Sequence, residues 1–367
     1  MREYIDGSTA IVRGALDAGC TFFAGYPITP ASQILMTMMR ELPKTGGVAI
    51  QGEDEIASIG MCIGAALSGA RTMTATSGPG ISLYSENIGL AIMGEVPLVI
   101  VDVQRLGPST GGATTVSQGD VQFVRWGTGG GYPIIALAPS TVTEAYWLTA
   151  KAFELAERFR SPVFLLTDKD LATTLTTVEL SSYPDIEVRP RETTTVGSPY
   201  RYDPPDEVFP LHEFGGEHTV RFTGSTHNED GYITKHTSTI EALNRHLADK
   251  IELHRDEIEL VDADPQPGAS SLILGYGATG NAVRAAVARA RAAGDKVSGI
   301  VVQSLWPVPQ TAIDEALVDV DRVIVPELNL GLYRREIERV AAGRLVVGVN
   351  RVDGEMIGPD EILEAMT

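Results

Sequence analysis

Cysteine is almost absent from this sequence, which contains only Cys20 and Cys62. Two thiols cannot hold a four-cysteine iron–sulfur cluster or a zinc ribbon, so this chain by itself has neither kind of site. Such sparing use of cysteine is typical of proteins in a reducing compartment, and we expect a cytoplasmic protein.

Positive charge is also scarce, with 29 Lys and Arg against 48 Asp and Glu, and the net charge is −19 at pH 7. This imbalance argues against a nucleic-acid partner and against binding to anionic membrane surfaces. No apolar run approaches the about 20 residues of a membrane span, and the first residues lack the pattern of a signal peptide. We therefore expect no membrane association.

Short apolar runs typical of buried strands alternate with helix-like segments along most of the 367 residues. The clearest strand, PLVIVDV at 97–103, is apolar at nearly every position, as a central parallel strand should be. The alternation predicts a doubly wound parallel sheet in a first domain, residues 1–182. The same pattern returns near residue 270 and predicts a second, smaller α/β domain, residues 256–367.

Residues 183–255, between the two predicted domains, are richer in proline and aromatic residues and poorer in helix-like patterns. This segment holds all six histidines, which are His212, His218, His227, His236, His246 and His254. Their spacing fits no common metal-ligand motif. We therefore expect a connecting arm that lies on a partner surface, and no metal site in this chain.

The stretch 51–80 contains three consecutive acids at 53–55, followed by small residues and then by a Ser-Gly-Pro-Gly turn. We predict a helix that begins at the acids, because the helix dipole favours negative charge there. Gly60 and Gly64 cost this helix about 1 kcal/mol each relative to alanine. Either a cofactor or a partner helix lies close to their backbone, or the two glycines reflect only packing within the chain.

Residues 275–280 read GYGATG, a glycine fingerprint between a predicted strand and a predicted helix, as in NAD(P)-binding proteins. Such a site needs an acid about 20 residues further on, at the end of the next strand, to bind the ribose. That strand instead ends at Gln303 and Ser304. An NAD(P)-dependent dehydrogenase is one alternative here, and a tight turn packed against a neighbouring element is the other.

Arg105 follows the most apolar strand, at the position where parallel α/β sheets form their ligand crevices. Its guanidinium can bind a carboxylate through two parallel hydrogen bonds. Ser109, Thr110 and Thr114 offer hydroxyl donors nearby in the sequence. We predict an anion site here, and the alternative is a surface arginine beside a flexible loop.

The first predicted domain carries four motifs, which are GYPITPAS at 25–32, GEDEIASIG at 52–60, TATSGPG at 74–80 and VQRLGPSTG at 103–111. In this order they resemble the α subunit of 2-oxoacid:ferredoxin oxidoreductases, and the 2-oxoglutarate type most closely. PELNLG at 326–331 is similar to part of the transketolase-C-terminal-like domain of the same family. At positions 112–113 this sequence has Gly-Ala where many relatives have Leu-Pro. We therefore expect this loop to fit a substrate differently. It also has no segment corresponding to the γ domain fused to larger relatives.

The resemblance implies a TPP-enzyme fold, with a pyrimidine-binding domain for thiamine diphosphate (TPP) followed by a transketolase-C-terminal-like domain. It also implies that one carboxyl group hydrogen-bonds the pyrimidine ring nitrogen and so promotes removal of the thiazolium C2 proton. The motif places this acid at Glu55, with Glu53 as the second choice. The other implied contacts are Pro27, Ile28, Gly78, Pro79 and Gly80 to the cofactor, and Thr29, Arg105 and Thr114 to the 2-oxoacid.

Two parts of the implied active site are missing from the sequence, namely the GDG…N motif that binds Mg²⁺ and the diphosphate, and four cysteines for a cluster. The resemblance therefore implies a β subunit that supplies Mg²⁺ and a [4Fe–4S] cluster, and an α₂β₂ assembly. The implied reaction converts a 2-oxoacid, CoA and oxidised ferredoxin to an acyl-CoA, CO₂ and reduced ferredoxin, or runs in reverse as CO₂ fixation.

The choice of substrate stays open among 2-oxoglutarate, pyruvate and branched-chain 2-oxoacids. The second carboxylate of 2-oxoglutarate needs another cation, from Arg221, Lys235 or the β subunit. A non-catalytic binding or scaffolding subunit is a further alternative.

Overall fold

Two mostly parallel β-sheets form the framework of the chain in the computed structural model, which describes residues 2–180, 190–212, 214–215 and 219–366. The strands are β1 (Arg2–Ile5), β2 (Phe22–Gly25), β3 (Val48–Gln51), β4 (Thr72–Thr76), β5 (Leu98–Gln104), β6 (Ile135–Leu137), β7 (Pro162–Asp168), β8 (Thr176–Glu179), β9 (Thr193–Thr194), β10 (Leu211–His212), β11 (Val261–Asp264), β12 (Ser271–Tyr276), β13 (Val297–Val302), β14 (Ser304–Trp306), β15 (Arg322–Glu327) and β16 (Leu345–Asn350).

The helices alternate with these strands along most of the chain. They are α1 (Gly7–Asp17), α2 (Ser32–Glu41), α3 (Glu55–Leu67), α4 (Pro79–Leu83), α5 (Ser85–Met93), α6 (Val121–Trp126), α7 (Val142–Phe159), α8 (Lys169–Thr173), α9 (Thr237–Glu252), α10 (Arg255–Ile258), α11 (Gly280–Ala293), α12 (Gln310–Ala316), α13 (Arg334–Val340) and α14 (Pro359–Glu364). In the described part of the chain, none of them combines the length and the apolar character that crossing a membrane requires.

The larger sheet has seven strands in the order β14-β6-β7-β5-β4-β2-β3, all parallel except the edge strand β14. Every residue of the central strand β5 is buried, which explains its apolar sequence. The smaller sheet has the order β11-β13-β12-β15-β16 and is parallel except for β11. These two layers confirm the predicted α/β class, a doubly wound parallel-sheet domain followed by a smaller α/β domain.

Two apolar cores cover the two faces of the larger sheet. One core includes side chains of α1, α2 and α7, such as Ile11 and Phe153. The other joins α3 and α5 to the second sheet, because Ile59 and Ile100 lie in the same buried cluster as Leu274. The two sheets therefore share one continuous core, and the exact boundaries 1–182 and 256–367 stay predictions.

Capping side chains determine where the helices that bear on the site begin. Asp54 accepts a hydrogen bond from Ala57 N at 2.7 Å, so α3 begins at Glu55, the last of the three consecutive acids. Asp6 and Thr141 cap α1 and α7 in the same way. Each cap satisfies a backbone N–H that has no partner inside its helix.

Two elements are connected to distant parts of the chain. Arg105 donates to the carbonyl oxygen of Thr29, just before Pro30, and α2 starts at Ser32. Ser304–Trp306 forms β14, which pairs with β6 and completes the edge of the larger sheet.

The described part of the predicted arm packs on the chain's own first domain, and its expected contact with a partner surface stays a prediction. Arg191 forms an ion pair with Glu157 at 2.6 Å, and Phe222 lies against Gly94. His246 and Lys250 both contact Glu95. His218 lies outside the described residues, and among those described no cluster of His, Cys, Asp or Glu has metal-binding geometry.

Glu95 anchors the arm, and we expect Glu95→Ala to lower the free energy of unfolding by about 3 kcal/mol. Its buried carboxylate accepts from Lys250 Nζ at 2.9 Å and from His246 Nε2 at 2.8 Å. Burial alone would raise the pKa of Glu95, but Lys250, Arg160 and His246 outweigh it and hold this pKa well below its usual range. Burial also lowers the pKa of Lys250 despite Glu95, so the cost arises mainly from leaving the ammonium unpaired.

Urea unfolding measures this effect, and the double variant Glu95→Leu/Lys250→Met is the matched control because it removes both charges. The double variant should recover most of the loss. The contribution of Glu95 is present above the ordinary pKa of glutamate and disappears as the pH falls through its folded-state pKa. Equal stability of Glu95→Ala and the native chain would contradict the assignment.

Candidate active site

The predicted motifs converge at the carboxyl ends of the parallel strands in the larger sheet. β2 leads into the loop 26–30, β4 into the turn 77–80 and β5 into Arg105, while α3 begins beyond the end of β3. Parallel strands present these ends at one edge of a sheet, where open α/β sheets form their ligand crevices. The topology thus brings together four segments that are far apart in the sequence.

Glu55 is the first residue of α3, and only 7% of its surface is exposed. Its carboxylate has no hydrogen-bond partner among the described residues. Burying a carboxyl group without a partner is costly, so this position calls for a ligand that supplies one. Glu53, the second choice, is exposed to solvent instead.

The turn 78–80 lies directly against Glu55. A Cβ on Gly80 would lie 2.0 Å from Thr76 Oγ1 and 3.1 Å from Glu55 Oε1, so only glycine fits. Gly78 has φ 39° and ψ −100°, a conformation that side chains disfavour, and Pro79 then begins α4. The hydroxyls of Thr76 and Ser77 are buried, with no hydrogen-bond partner in the described structure.

Arg105 stands on the other side of this turn, and it is 6% exposed. Its Nη1 donates to Thr29 O at 2.6 Å and its Nη2 to Thr110 O at 3.0 Å. Its stem lies 3.5 Å from the Cβ position of Gly78. Two bonds leave several guanidinium donors unused, and Nε has no partner among the described residues. The side chain is therefore fixed in place and can still bind an anion.

A chain of contacts thus runs from Thr29 through Arg105 and the turn 78–80 to Glu55. Other residues predicted for the site lie outside this chain of contacts. Thr29 contributes its backbone carbonyl. Thr114 is exposed, and the described structure gives it no hydrogen bond. Pro27 is also exposed, while Ile28 packs against the core on the α1 side of the sheet. The roles of all these residues stay predictions.

Two acids at the same edge of the sheet were not predicted. Asp102 is fully buried in β5, and burial, with a further contribution from the Asp120 carboxyl, raises the pKa of Asp102 well above its usual range. Burial raises the pKa of Asp120 to about 6, although a hydrogen bond from Asp102 and the charge of Arg105 act to lower it. The available signal was a single acid inside the apolar run PLVIVDV.

The glycine fingerprint 275–280 is a packed turn, so its interpretation as a dinucleotide site is wrong. Ala278 N donates to Asp168 Oδ2 at 3.2 Å, which occupies the N–H that a pyrophosphate would use. Gln118 Nε2 lies 2.7 Å from the Cβ position of Gly277. Ser140 lies 2.6 Å from that of Gly280. Side chains of the first domain thus fill the space of a dinucleotide.

We therefore expect titration with NADH to leave both its fluorescence and that of the protein unchanged, apart from dilution. A known NADH-binding dehydrogenase serves as the positive control in the same buffer. Saturable quenching that disappears in the variant Gly277→Val would contradict the packed-turn interpretation.

The doubly wound sheet, with a buried acid and a glycine turn at the ends of its strands, matches what the resemblance implied for the pyrimidine-binding class of TPP proteins. The unpartnered Glu55 carboxylate and the Thr76 and Ser77 hydroxyls fit an aminopyrimidine ring, which offers both donors and acceptors. The family model "Pyruvate flavodoxin/ferredoxin oxidoreductase, thiamine diP-bdg" matches residues 13–264, and "Pyruvate:ferredoxin oxidoreductase core domain II" matches 269–362. The chain belongs to this oxidoreductase family, and the resemblance found in its motifs is confirmed.

The chain is 43% identical to 2-oxoglutarate synthase subunit KorA of Methanothermobacter marburgensis, over 98% of this chain and 97% of that protein. It is 36% identical to ketoisovalerate oxidoreductase subunit VorB of Methanothermobacter thermautotrophicus, over 99% and 96%.

Among solved structures, 2-oxoglutarate:ferredoxin oxidoreductase from Magnetococcus marinus, with 2-oxoglutarate, coenzyme A and succinyl-CoA bound, matches with a TM-score of 0.92 at 32% identity. The match covers 100% of this chain, which spans 64% of that longer chain. A split-gene transketolase matches with a TM-score of 0.56 at 13% identity, which shows likeness of fold alone.

Proposed function

We propose that this chain is the α subunit of a TPP-dependent 2-oxoglutarate:ferredoxin oxidoreductase. The enzyme converts 2-oxoglutarate, CoA and oxidised ferredoxin to succinyl-CoA, CO₂ and reduced ferredoxin. The observation that carries this proposal is the buried Glu55 carboxylate, which lies against Gly80 without a partner, close to an arginine with unused donors. Full-length likeness to 2-oxoglutarate synthase subunits supports the choice of substrate.

Each residue of the site has a role in this proposal. TPP, when bound, supplies the electron sink for decarboxylation of the 2-oxoacid. Glu55 holds a proton at the pyrimidine ring nitrogen, and the turn 78–80 lets the ring approach the backbone. Arg105 binds the carboxylate next to the 2-oxo group through its unused donors. Thr29 and Thr114 flank the same end of the substrate.

A β subunit completes the active site in this proposal, because the sequence lacks a GDG motif and four cysteines. This partner would hold Mg²⁺ with the diphosphate and the [4Fe–4S] cluster, pass electrons to ferredoxin, and assemble as α₂β₂. The exposed face of α3 next to Glu55 supports a partner there. Ile56 is 51% exposed, and the Cβ positions of Gly60 and Gly64 face open space. The scarcity of cysteine supports the cytoplasm as the compartment.

Co-expression with the β subunit tests the proposal. We expect the purified complex to reduce a viologen dye with 2-oxoglutarate only when TPP and CoA are present, and the α chain alone to show no turnover. Pyruvate and branched-chain 2-oxoacids should give lower kcat/KM values. A higher kcat/KM for one of these 2-oxoacids would make it the proposed substrate in place of 2-oxoglutarate. Turnover by the α chain alone would refute an active site shared with the β subunit. Absence of a cysteine-rich partner in pull-downs would favour a scaffolding role.

A further inference from the structure

Asp102, which is fully buried, and Asp120, which is half-buried, lie immediately beside the proposed 2-oxoacid site. Asp102 lies in β5, three residues before Arg105, which follows the end of this strand. The loop that carries Asp120 folds back onto the same strand end. Asp120 N donates to Gln104 Oε1 at 3.1 Å, and Gln104 Nε2 donates to Thr167 O at 3.3 Å. The loop is thereby fixed against the sheet, and both carboxyl groups have defined positions.

The two carboxyl groups lack donors unless one of them is protonated. Both oxygens of Asp102 and Oδ2 of Asp120 are buried, and within the described ranges no donor forms a well-placed hydrogen bond to them. The Asp102 carboxyl faces Asp120 and the backbone N–H of Gly78, and Asp120 also faces the positive charge of Arg105. Ionising both of two adjacent carboxyl groups is costly when one of them, Asp102, is fully buried, whereas one shared proton supplies the missing donor.

We propose that Asp102 and Asp120 share one proton and act as a positioning pair for the 2-oxoacid site, an inference that rests on the proposed function. The Asp102 O–H donates to the Asp120 carboxylate, which faces Arg105. Asp102 also faces the N–H of Gly78, in the turn that lies against Glu55. The pair keeps a single negative charge that faces the guanidinium, which the carbonyls of Thr29 and Thr110 hold in place.

The pair also limits how strongly Asp120 competes with substrate for Arg105. A carboxylate that already accepts an O–H bond has less free capacity for the guanidinium donors. Without the Asp102 O–H, the Asp120 carboxylate would interact more strongly with Arg105. The guanidinium donors of Arg105 would then be less available to the 2-oxoacid. Loss of the Asp120 charge would have the opposite effect on substrate binding.

Steady-state kinetics of the α–β complex with 2-oxoglutarate test the pair through opposite changes in KM. We expect Asp102→Leu to raise KM by about tenfold, with a smaller change in kcat, because it removes the donor to Asp120. Asp102→Asn keeps an uncharged donor of the same shape and should recover KM to within about threefold of the native value. Asp120→Asn should lower KM. Equal losses in Asp102→Asn and Asp102→Leu would overturn the proposal, since an ionised Asp102 would be required.

Infrared spectra of the complex without 2-oxoacid give a readout that does not depend on turnover. The difference spectrum between the native complex and Asp102→Asn should show the loss of one C=O stretch of a buried carboxylic acid, while the C=O bands of other protonated acids, such as Glu55, cancel. The same band should remain in Asp120→Asn. A difference spectrum with no lost carboxylic-acid band would overturn the shared proton. If the complex uses no 2-oxoacid at all, the proposed function fails while the infrared result still decides the state of the pair. If Asp102→Leu does not fold, the two asparagine variants suffice.

Discussion

Glu55→Gln is expected to reduce the turnover of the α–β complex by about two to four orders of magnitude. The substitution keeps the shape of the side chain but removes the carboxyl group that can hold a proton against the pyrimidine ring. The side chain is buried beside Gly80 and has no partner among the described residues, so glutamine should fit without unfolding α3. Initial rates of viologen reduction at saturating TPP, CoA and 2-oxoglutarate measure the effect.

Glu53→Gln is the matched control, because it makes the same change two residues earlier, on an exposed side chain. We expect it to leave turnover within about twofold of the native rate, as for most surface substitutions. The reverse result, with Glu53→Gln inactive and Glu55→Gln active, would transfer the proton-holding role to the second choice. Melting temperatures of both complexes should match the native value.

Arg105→Met is expected to raise KM for 2-oxoglutarate by about ten- to a hundredfold, because hydrogen bonds to a charged group are worth about 1.5–3 kcal/mol. Methionine keeps much of the length of the stem but offers no donor to a carboxylate. Arg105→Lys should recover only part of the loss, since an ammonium restores the charge without the planar fork. Separate determination of KM and kcat distinguishes weaker substrate binding from slower chemistry.

Arg125→Met controls for the loss of an arginine that is held by backbone carbonyls. Arg125 lies in α6, donates to Tyr132 O at 2.9 Å and lies over the Trp126 ring, and these contacts include no residue of the proposed site. It should leave KM for 2-oxoglutarate unchanged. If Arg125→Met raised KM as much as Arg105→Met, the effect would reflect disturbed packing and not an anion site.

Local sequence patterns were sufficient to predict most of the architecture. The apolar run of β5 indicated a central parallel strand because its backbone and side chains are buried on both faces. Glu55 and the turn 78–80 entered the predicted site through the family resemblance of their motifs, because a local pattern does not show which of three consecutive acids is buried. Glu55 and Gly80 meet because β3 and β4 end at the same edge of one sheet.

The errors arose where the deciding partner lies far away in the chain. The fingerprint 275–280 has the local form of a dinucleotide turn, and only the position of Asp168 across the shared core shows that its N–H groups are already used. The histidines of the predicted arm gave no sign that His246 would meet Glu95, 151 positions earlier in the chain.

The sequence by itself determined the alternating α/β architecture, the family and the acidic helix start, because periodicity, capping and motif order are properties of neighbouring residues. The tertiary structure alone decided which polar groups are buried together. It placed Asp102 and Asp120 beside Arg105 and filled the second glycine turn with side chains of the first domain. Burial and the loss of water that accompanies it depend on the whole fold, and they determine whether a carboxyl group stays ionised, shares a proton or needs a ligand.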